Sequence, residues 1–209
     1  MADNSGYTLK SLMSHEKKGS RYWDDRFSKQ AYAYGEAPND FLVWAAPQVK
    51  KGKVISLSEG EGRNAVYLAQ LGFEVTAVDF SSVGLAKAQA LSEKHQVKIE
   101  CVLADLNDLQ LEPNTWDVVV SVFSQPESPI RQRLNAQLAS SLKMGGALIH
   151  ESKVSEDEDA SGKYPGIALL QREIAPLHVS FAHQGSRILA EGSYHVGSHT
   201  TAQILAFRV

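Results

Sequence analysis

Between residues 53 and 151, short apolar runs alternate with longer amphipathic stretches. Short β-branched apolar runs predict five strands, and the amphipathic stretches between them predict helices. The strands are predicted at Lys53–Leu57, Phe73–Val78, Lys98–Leu103, Trp116–Phe123 and Ala147–Glu151, and the helices at about Asn64–Leu71, Val83–His95 and Arg131–Leu142. This alternation is typical of a parallel sheet wound by right-handed crossovers.

The pattern changes toward the C-terminus. After Ser155–Gly162, an acidic tract that predicts a solvated loop, three more strands are predicted at Leu177–His183, Arg187–Gly192 and Ala202–Val209. Short turns containing Gly and Ser join these strands, which indicates an antiparallel addition at the edge of the sheet.

The N-terminal part of the chain has two predicted sections. Residues 1–20 are polar with little periodicity, so we expect a flexible segment ahead of a single domain at 21–209. Residues 21–50 are rich in aromatic side chains and partly helical by pattern, with Asn39 or Asp40 as an N-cap. The core does not need this section, so we interpret it as a lid.

Hydrophobic content, net charge and cysteine count indicate which class of protein this is. The chain has 209 residues, 43% of them hydrophobic, and a net charge of -3, which favours one globular domain without the basic run that nucleic-acid binding needs. Cys101 is the only cysteine, which excludes an intramolecular disulfide and a cysteine cluster for a metal. No signal peptide or membrane-length apolar run is present, so we expect a cytoplasmic protein with no membrane partner.

A glycine turn follows the first predicted strand. Gly60-Glu61-Gly62-Arg63-Asn64-Ala65 has the form G-x-G-x-x-A, in which glycines allow a tight turn and let a ligand approach the main chain. Alone, this motif is a weak signal, because glycines also end strands for structural reasons.

Two acids strengthen the signal. Asp79 ends the second predicted strand, 19 residues after Gly60, near the spacing at which a carboxylate reaches the ribose hydroxyls of an adenosine. Asp105 follows the third strand and has a carboxylate suited to an adenine amino group. The structural alternatives are a turn or N-cap at Asp79 and an ordinary solvated turn at Asp105.

Several stretches resemble one enzyme family. They are Tyr22–Phe27, Tyr34–Leu42, Glu59–Ala65, Val75–Ser81 and Ala104–Leu106. Together they are similar to the class I S-adenosylmethionine-dependent methyltransferases, in particular to the group that contains the tellurite-resistance and thiopurine methyltransferases.

The resemblance implies a fold and a set of contacts. The expected fold is an α/β, Rossmann-like, doubly wound sheet of seven mostly parallel strands with an antiparallel C-terminal edge. S-adenosylmethionine would lie across the carboxyl ends of the strands, and its methyl group would pass to a small molecule by direct displacement. The implied contacts are Glu59, Gly60, Gly62 and Phe123 for the methionine part, Asp79 for the ribose, and Phe80, Asp105 and Leu106 for the adenine.

The sequence departs from the family at the first strand. The family usually has an acid at Ser56 and a glycine at Ser58, which puts cofactor affinity in question. The fourth strand ends in Phe123-Ser124-Gln125-Pro126, which lacks the motif of nucleic-acid base methyltransferases. Alignment of donor and acceptor supplies much of the rate in this chemistry, so we expect no metal and no indispensable catalytic side chain.

The residues on the acceptor side are less clearly marked. Tyr22, Trp23 and Tyr34 either line a lid over the cofactor or pack a helix onto the sheet. His195 resembles a family position near the acceptor pocket. The other C-terminal histidines, His178, His183 and His199, do not have the spacing of a recognised metal site.

Two other functions remain open from the sequence. The motif with Asp79 also fits a nicotinamide-dependent oxidoreductase, although the chain leaves little room for a separate catalytic domain. A methyltransferase-like domain that binds adenosyl compounds without turnover is the third hypothesis, supported only by Ser56 and Ser58. The sequence does not indicate the acceptor or the oligomeric state.

Overall fold

A computed structural model describes residues 19–155 and 162–209. The helices are α1 (Ser20–Phe27), α2 (Asp40–Ala45), α3 (Arg63–Gln70), α4 (Ser82–Lys94), α5 (Ser128–Ser141) and α6 (Ile167–Glu173), with a short 3-10 turn at Ala46–Gln48. The strands are β1 (Lys53–Leu57), β2 (Glu74–Asp79), β3 (Ile99–Leu103), β4 (Trp116–Val122), β5 (Leu142–Lys153), β6 (His178–Glu191) and β7 (His195–Phe207).

The strands form one seven-stranded sheet in the order β3-β2-β1-β4-β5-β7-β6. The first five strands are parallel, and β7 pairs antiparallel with both β5 and β6. The predicted fold class is therefore confirmed, including the antiparallel C-terminal edge. The order reverses between β1 and β4, and ligands of open α/β sheets bind beside such a reversal.

Helices bury the sheet on both faces, which explains the continuous apolar runs of its central strands. Val54, Val118 and Val120 contribute to one core, together with side chains of α2, α3 and α4. Ile55 and Val119 contribute to the opposite core, against α5 and α6. Alternate residues of the central strands thus pack against the helices on opposite faces of the sheet.

The predicted bounds of the C-terminal strands are wrong. The strands predicted at Leu177–His183 and Arg187–Gly192 are a single long strand, β6, and the last strand begins seven residues before Ala202, at His195. The glycine at Gly185 is paired with Thr201 within the ladder, so it does not mark a turn. The helix α6 was not predicted either.

The N-terminal predictions have mixed outcomes. Asn39 is the N-cap of α2, because its side chain accepts a hydrogen bond from the main-chain N–H of Leu42. The flexible segment predicted at residues 1–20 lies almost wholly outside the described residues, and Ser20 already belongs to α1. Most of the acidic tract at 155–162 also lies outside them, so both remain predictions.

Candidate active site

The carboxyl ends of β1 and β4 meet at the reversal of the sheet. A hydrogen bond of 2.9 Å joins the hydroxyls of Ser58 and Ser124, the residues that follow these strands closely. Ser58 and Phe123 both have φ near +53°, a left-handed conformation that non-glycine residues adopt at a cost. Such conformations cluster at functional sites, so this edge of the sheet is the candidate site.

The glycines of the turn after β1 permit two close contacts. A Cβ at Gly62, where φ is +92°, would lie 2.6 Å from the Cα of Ala88 in α4. A Cβ at Gly60, where φ is +64°, would lie 3.1 Å from the ring of Phe27 in α1. Gly62 is therefore required for packing α3 against α4, and Gly60 brings the turn against the N-terminal helix.

The carboxylate of Asp79 connects the end of β2 to the glycine turn. Its Oδ2 accepts from the N–H of Gly60 at 2.9 Å, and its Oδ1 accepts from the N–H of Ser81 at 2.8 Å. Burial raises the pKa of Asp79, and these main-chain donors offset only part of that effect. The structure thus places Asp79 beside Gly60, as the motif requires, and also gives it a structural role in the turn.

Glu59 caps helix α3. Its Oε1 accepts from the N–H groups of Asn64 and Ala65 at 3.0 and 2.9 Å, and its Oε2 accepts from the hydroxyl of Ser56. Burial raises the pKa of Glu59, against these hydrogen bonds. Both side-chain oxygens of Glu59 are thus engaged within the protein, and its main-chain N–H donates to the carbonyl of Val78 at 3.0 Å.

The residues predicted to contact adenine lie on the same edge of the sheet. The N–H of Ala104 donates to the carbonyl of Asp79 at 3.0 Å, which brings the loop after β3 beside β2. Asp105 is exposed, and its Oδ1 accepts from the N–H of Asn107 at 2.8 Å, which is the turn that the sequence offered as the alternative. Phe80 and Leu106 are half-buried.

Helix α1 covers the glycine turn. The buried ring of Phe27 lies against both Gly60 and Gly84. Asp24 accepts a hydrogen bond of 2.6 Å from the hydroxyl of Ser81, the N-cap of α4. The sequence analysis did not single out Phe27 or Asp24, although both lie within the stretch that carries the family resemblance.

A second interaction fastens the segment that follows α1. The carboxylate of Glu61 accepts from the N–H of Ala33 at 2.7 Å and pairs with the ammonium of Lys87. That ammonium also donates to the carbonyl oxygens of Lys29 and Ala31. The turn and α4 together therefore hold the N-terminal section over the strand ends.

The predicted aromatic residues of this section gather around Arg26. The guanidinium carbon of Arg26 lies 4.8, 5.1 and 4.3 Å from the ring centroids of Tyr22, Trp23 and Tyr194. One of its nitrogens donates to the hydroxyl of Tyr34 at 2.8 Å. Arg26 was not predicted as a site residue, and its position among aromatic residues in the sequence was the available signal.

His195 lies between two aromatic rings at the inner side of this cluster. Its ring centroid is 4.5 Å from that of Tyr34 and 4.4 Å from that of Phe123. The structure therefore brings together the predicted substrate-side residues Tyr34 and His195 with Phe123. By contrast, His178 and His183 are exposed, and His199 is half-buried.

A buried network of charged groups supports His195 from the sheet. Glu191 of β6 forms ion pairs with Arg63 at 2.7 Å and with Arg187 at 3.0 Å, and Glu151 of β5 pairs with Arg187 at 3.1 Å. The side-chain amide of Asn39 donates to both carboxylates. The sequence analysis missed this network because its members are scattered over five elements.

Comparison with known proteins identifies the central part of the chain. Residues 54–146 match the methyltransferase domain family. A probable S-adenosyl-L-methionine-dependent methyltransferase, TehB of Haemophilus influenzae strain 10810, is 35% identical over 98 residues, which are 47% of this chain and 33% of that protein. The predicted resemblance to the class I methyltransferases, in the group with the tellurite-resistance and thiopurine enzymes, is confirmed for this part of the chain.

Solved structures extend the likeness of the methyltransferase domain to nearly the whole chain. The crystal structure of TehB from Haemophilus influenzae superposes with a TM-score of 0.71 over 91% of this chain and 67% of that one, at 20% identity. A structure described as "Conversion of a Disulfide Bond into a Thioacetal Group during Echinomycin Biosynthesis" gives the same TM-score over 90% and 89% of the two chains, at 15% identity. At these identities the likeness concerns the fold alone.

The matched stretch spans about a third of the curated TehB protein. Within the described residues, no helix is long and apolar enough to span a membrane, and no group of three or more His, Cys, Asp or Glu side chains is arranged to hold a metal ion.

Proposed function

We propose that this protein transfers the methyl group of S-adenosylmethionine to a small-molecule acceptor by direct displacement. The observation that carries the proposal is the contact between Asp79 and Gly60, 2.9 Å apart across the ends of β2 and β1. It joins Asp79, the acid proposed to bind the ribose, to the glycine turn of the predicted motif, within the segment that matches methyltransferase domains.

The chemistry of these residues fits an adenosyl cofactor. Ribose hydroxyls are donors, and a carboxylate is an acceptor with about four lone-pair sites, so the two hydrogen bonds to Gly60 and Ser81 leave acceptor capacity on Asp79. Half-buried Phe80 stands beside it for the adenine. Asp105, Leu106 and the main chain of Glu59 remain proposed contacts on either side.

When bound, the cofactor supplies an electrophilic methyl group on a sulfonium. The residues of this chain orient the reactants and exclude water. Phe123 lies directly after β4, beside the reversal of the sheet, and the rings of Phe123 and Tyr34 both contact His195. Aromatic faces also attract a cation by about 0.5–2 kcal/mol, which suits a sulfonium better than a neutral product.

The structure bears on the two alternative functions, a nicotinamide-dependent oxidoreductase and a non-catalytic domain. A dinucleotide-binding sheet has the order 3-2-1-4-5-6, whereas here the antiparallel β7 lies between β5 and β6. The hypothesis of a non-catalytic domain rested on Ser56 and Ser58. The hydroxyl of Ser56 donates to the carboxylate of Glu59, so an acid does lie beside this position.

Calorimetry with S-adenosylhomocysteine and with NAD tests the proposal. We expect S-adenosylhomocysteine to bind and to raise the melting temperature, because a ligand that binds only the folded state stabilises it. NAD serves as the matched control, since it shares the adenosine. Binding of NAD alone, or no shift with millimolar adenosyl ligand, contradicts the assignment.

A further inference from the structure

His195 is the first residue of β7 and lies at the boundary between the sheet and the N-terminal cover. It is 9% exposed, and its ring stands between Phe123, directly after β4, and Tyr34, in the section after α1. Phe123 adjoins the reversal of the sheet where the proposed cofactor lies. The ring of His195 therefore contacts the residue that directly follows β4, at the reversal of the sheet.

The carboxylate of Glu191 fixes which nitrogen of His195 carries the hydrogen. Nδ1 of His195 lies 3.3 Å from Oε2 of Glu191, across the turn that joins β6 and β7. An ionised carboxylate only accepts, so Nδ1 is the donor, and in a neutral imidazole Nε2 then has the free lone pair. Among the described residues, no side chain or main-chain group is hydrogen-bonded to Nε2.

Glu191 stays ionised although it is buried. Burial opposes its charge, but His195 and Arg63 outweigh that effect, and the pKa of Glu191 falls to about 2. Arg187 also contacts this carboxylate. Glu191 therefore acts as a fixed acceptor for Nδ1 at any physiological pH.

The groups that face His195 keep its imidazole neutral. Burial lowers the pKa of His195, and Lys153 from β5 and Arg63 from α3 act in the same direction, while Glu191 from β6 only partly offsets them. The remaining walls are the rings of Phe123 and Tyr34, which carry no charge at neutral pH. The ring is thus a neutral base in an enclosed site.

We propose that His195 is a catalytic base held in position by Glu191, and that the acceptor is a protic nucleophile, a molecule that arrives with a hydrogen on the atom to be methylated. This inference rests on the proposed function and specifies its substrate class. It also changes one expectation from the sequence, which foresaw no important catalytic side chain.

The step balances without a further reactant. The lone pair of the acceptor atom forms the bond to the methyl carbon, the carbon–sulfur bond breaks toward sulfur, and the acceptor's proton passes to Nε2 of His195. The imidazolium is stabilised by Glu191 at Nδ1. A cleft of about 250 Å³ is lined in part by Tyr34, the aromatic neighbour of His195, and by Glu191 and Gly192.

The alternative is that His195 is a structural residue that fastens the β6–β7 hairpin. Nitrogen NMR of the histidine side chains separates the two roles without any acceptor, with His195→Gln assigning the signal. We expect a neutral ring at pH 7 with the hydrogen on Nδ1, and a change of tautomer or a further fall in the pKa of His195 in Glu191→Gln. An imidazolium, or hydrogen on Nε2, at pH 7 overturns the inference.

Turnover provides the second test. Production of S-adenosylhomocysteine is measured with an alkyl thiol, a phenol and an amine as protic probes, and with iodide as a probe that has no proton to lose. We expect His195→Gln to lower the rate with a protic probe by about 100-fold or more at pH 7. The loss should shrink as the pH rises toward the pKa of the probe, and His183→Gln, an exposed change on the same hairpin, should have no effect.

Three results are decisive in this test. Equal rates for the wild type and His195→Gln with a protic probe contradict a catalytic base, as does methylation of iodide alone. If S-adenosylhomocysteine binds but no protic probe is methylated, the substrate class is wrong while the proposed cofactor stands. If S-adenosylhomocysteine does not bind the wild type, the proposed function itself fails.

Discussion

Glu59 supplies hydrogen-bond acceptors to the first turn of α3 from outside the helix. The first turn of α3 has two main-chain N–H groups on Oε1 of Glu59, and the hydroxyl of Ser56 holds the other oxygen. In the family that the chain resembles, the position of Ser56 usually carries an acid. We expect Glu59 to take the place of the acid that the family usually has three residues earlier.

This exchange predicts a non-additive pair of substitutions. Glu59→Ala should lower the free energy of unfolding by about 1–2 kcal/mol, because the N-terminus of α3 loses its acceptor. Ser56→Asp alone should also destabilise, because it places a second carboxylate against a buried one. The double variant should recover much of the loss. Urea denaturation of all four proteins measures the coupling, and simple additivity contradicts the exchange.

Asp79 is expected to serve both the ribose and the turn. Asp79→Ala should weaken binding of S-adenosylhomocysteine at least tenfold, since each charge-assisted hydrogen bond contributes about 1.5–3 kcal/mol. It should also lower the melting temperature, because Gly60 and Ser81 lose their acceptor.

Ser81→Ala is the matched control for Asp79. It removes the N-cap of α4 without removing a proposed ribose acceptor. Calorimetry should show nearly normal affinity in this variant despite a loss of stability. Equal loss of affinity in both variants would show that Asp79 acts only through the turn.

At the scale of elements, α1 and the section after it are expected to form the lid. Tyr34→Ala should lower turnover about tenfold or more, because its ring covers His195 and Phe27. Tyr34→Phe should retain most of the activity, since it keeps the ring and loses only the bond from Arg26. Deleting residues 1–18 should leave cofactor affinity nearly unchanged.

Assays of S-adenosylhomocysteine formation and calorimetry measure these three proteins side by side. If Tyr34→Ala and the deletion are tolerated equally, the section is packing and not a lid. If Tyr34→Phe is as inactive as Tyr34→Ala, the hydroxyl and its contact with Arg26 matter more than the ring.

A helix or strand could be predicted from the sequence where the residues that determine it are close neighbours in the chain. The strand at Lys53–Leu57 was predicted with its observed bounds, because a β-branched run ends at a glycine turn within a few residues. The hairpin was mispredicted because Gly185 continues a ladder through pairing with Thr201, a contact 16 residues away. Local turn chemistry cannot reveal such pairing.

The same reasoning applies to the candidate site. The spacing of Gly60 and Asp79 is visible in the sequence because a strand, a turn and a helix fix it. The pairing of Glu191 with Arg63 is not visible, because it joins residues 128 positions apart. Side chains that meet only through the tertiary fold were therefore the ones that sequence patterns missed.

For the whole molecule, buried histidines predict sensitivity to acid. Burial, together with Arg131, lowers the pKa of His150 to about 4, so the folded protein holds this ring neutral while the unfolded chain titrates near 6.5. The unfolded state binds the proton first as the pH falls. Stability present above pH 6.5 is therefore lost between about 6.5 and 4, by about 3 kcal/mol in all.

His195 acts in the same direction, and Glu191 extends the loss to lower pH. The pKa of Glu191 is about 2 in the folded protein, so its contribution disappears as the pH falls from its ordinary value near 4.5 toward 2. Urea denaturation at a series of pH values measures both ranges. His150→Gln should flatten the curve between pH 6.5 and 4, and an unchanged slope contradicts the assignment.

Because the antiparallel hairpin comes last in the chain, the two proposed parts of the site lie in separate stretches of sequence. The turn at Gly60 and the acid Asp79 belong to the first half of the chain, whereas Glu191 and His195 stand on β6 and β7 near its end. Substitutions in the hairpin are therefore expected to change the proposed acceptor side of the site more than the proposed turn for the methyl donor. The ion pair of Glu191 with Arg63 is the place where a change in one half reaches the other.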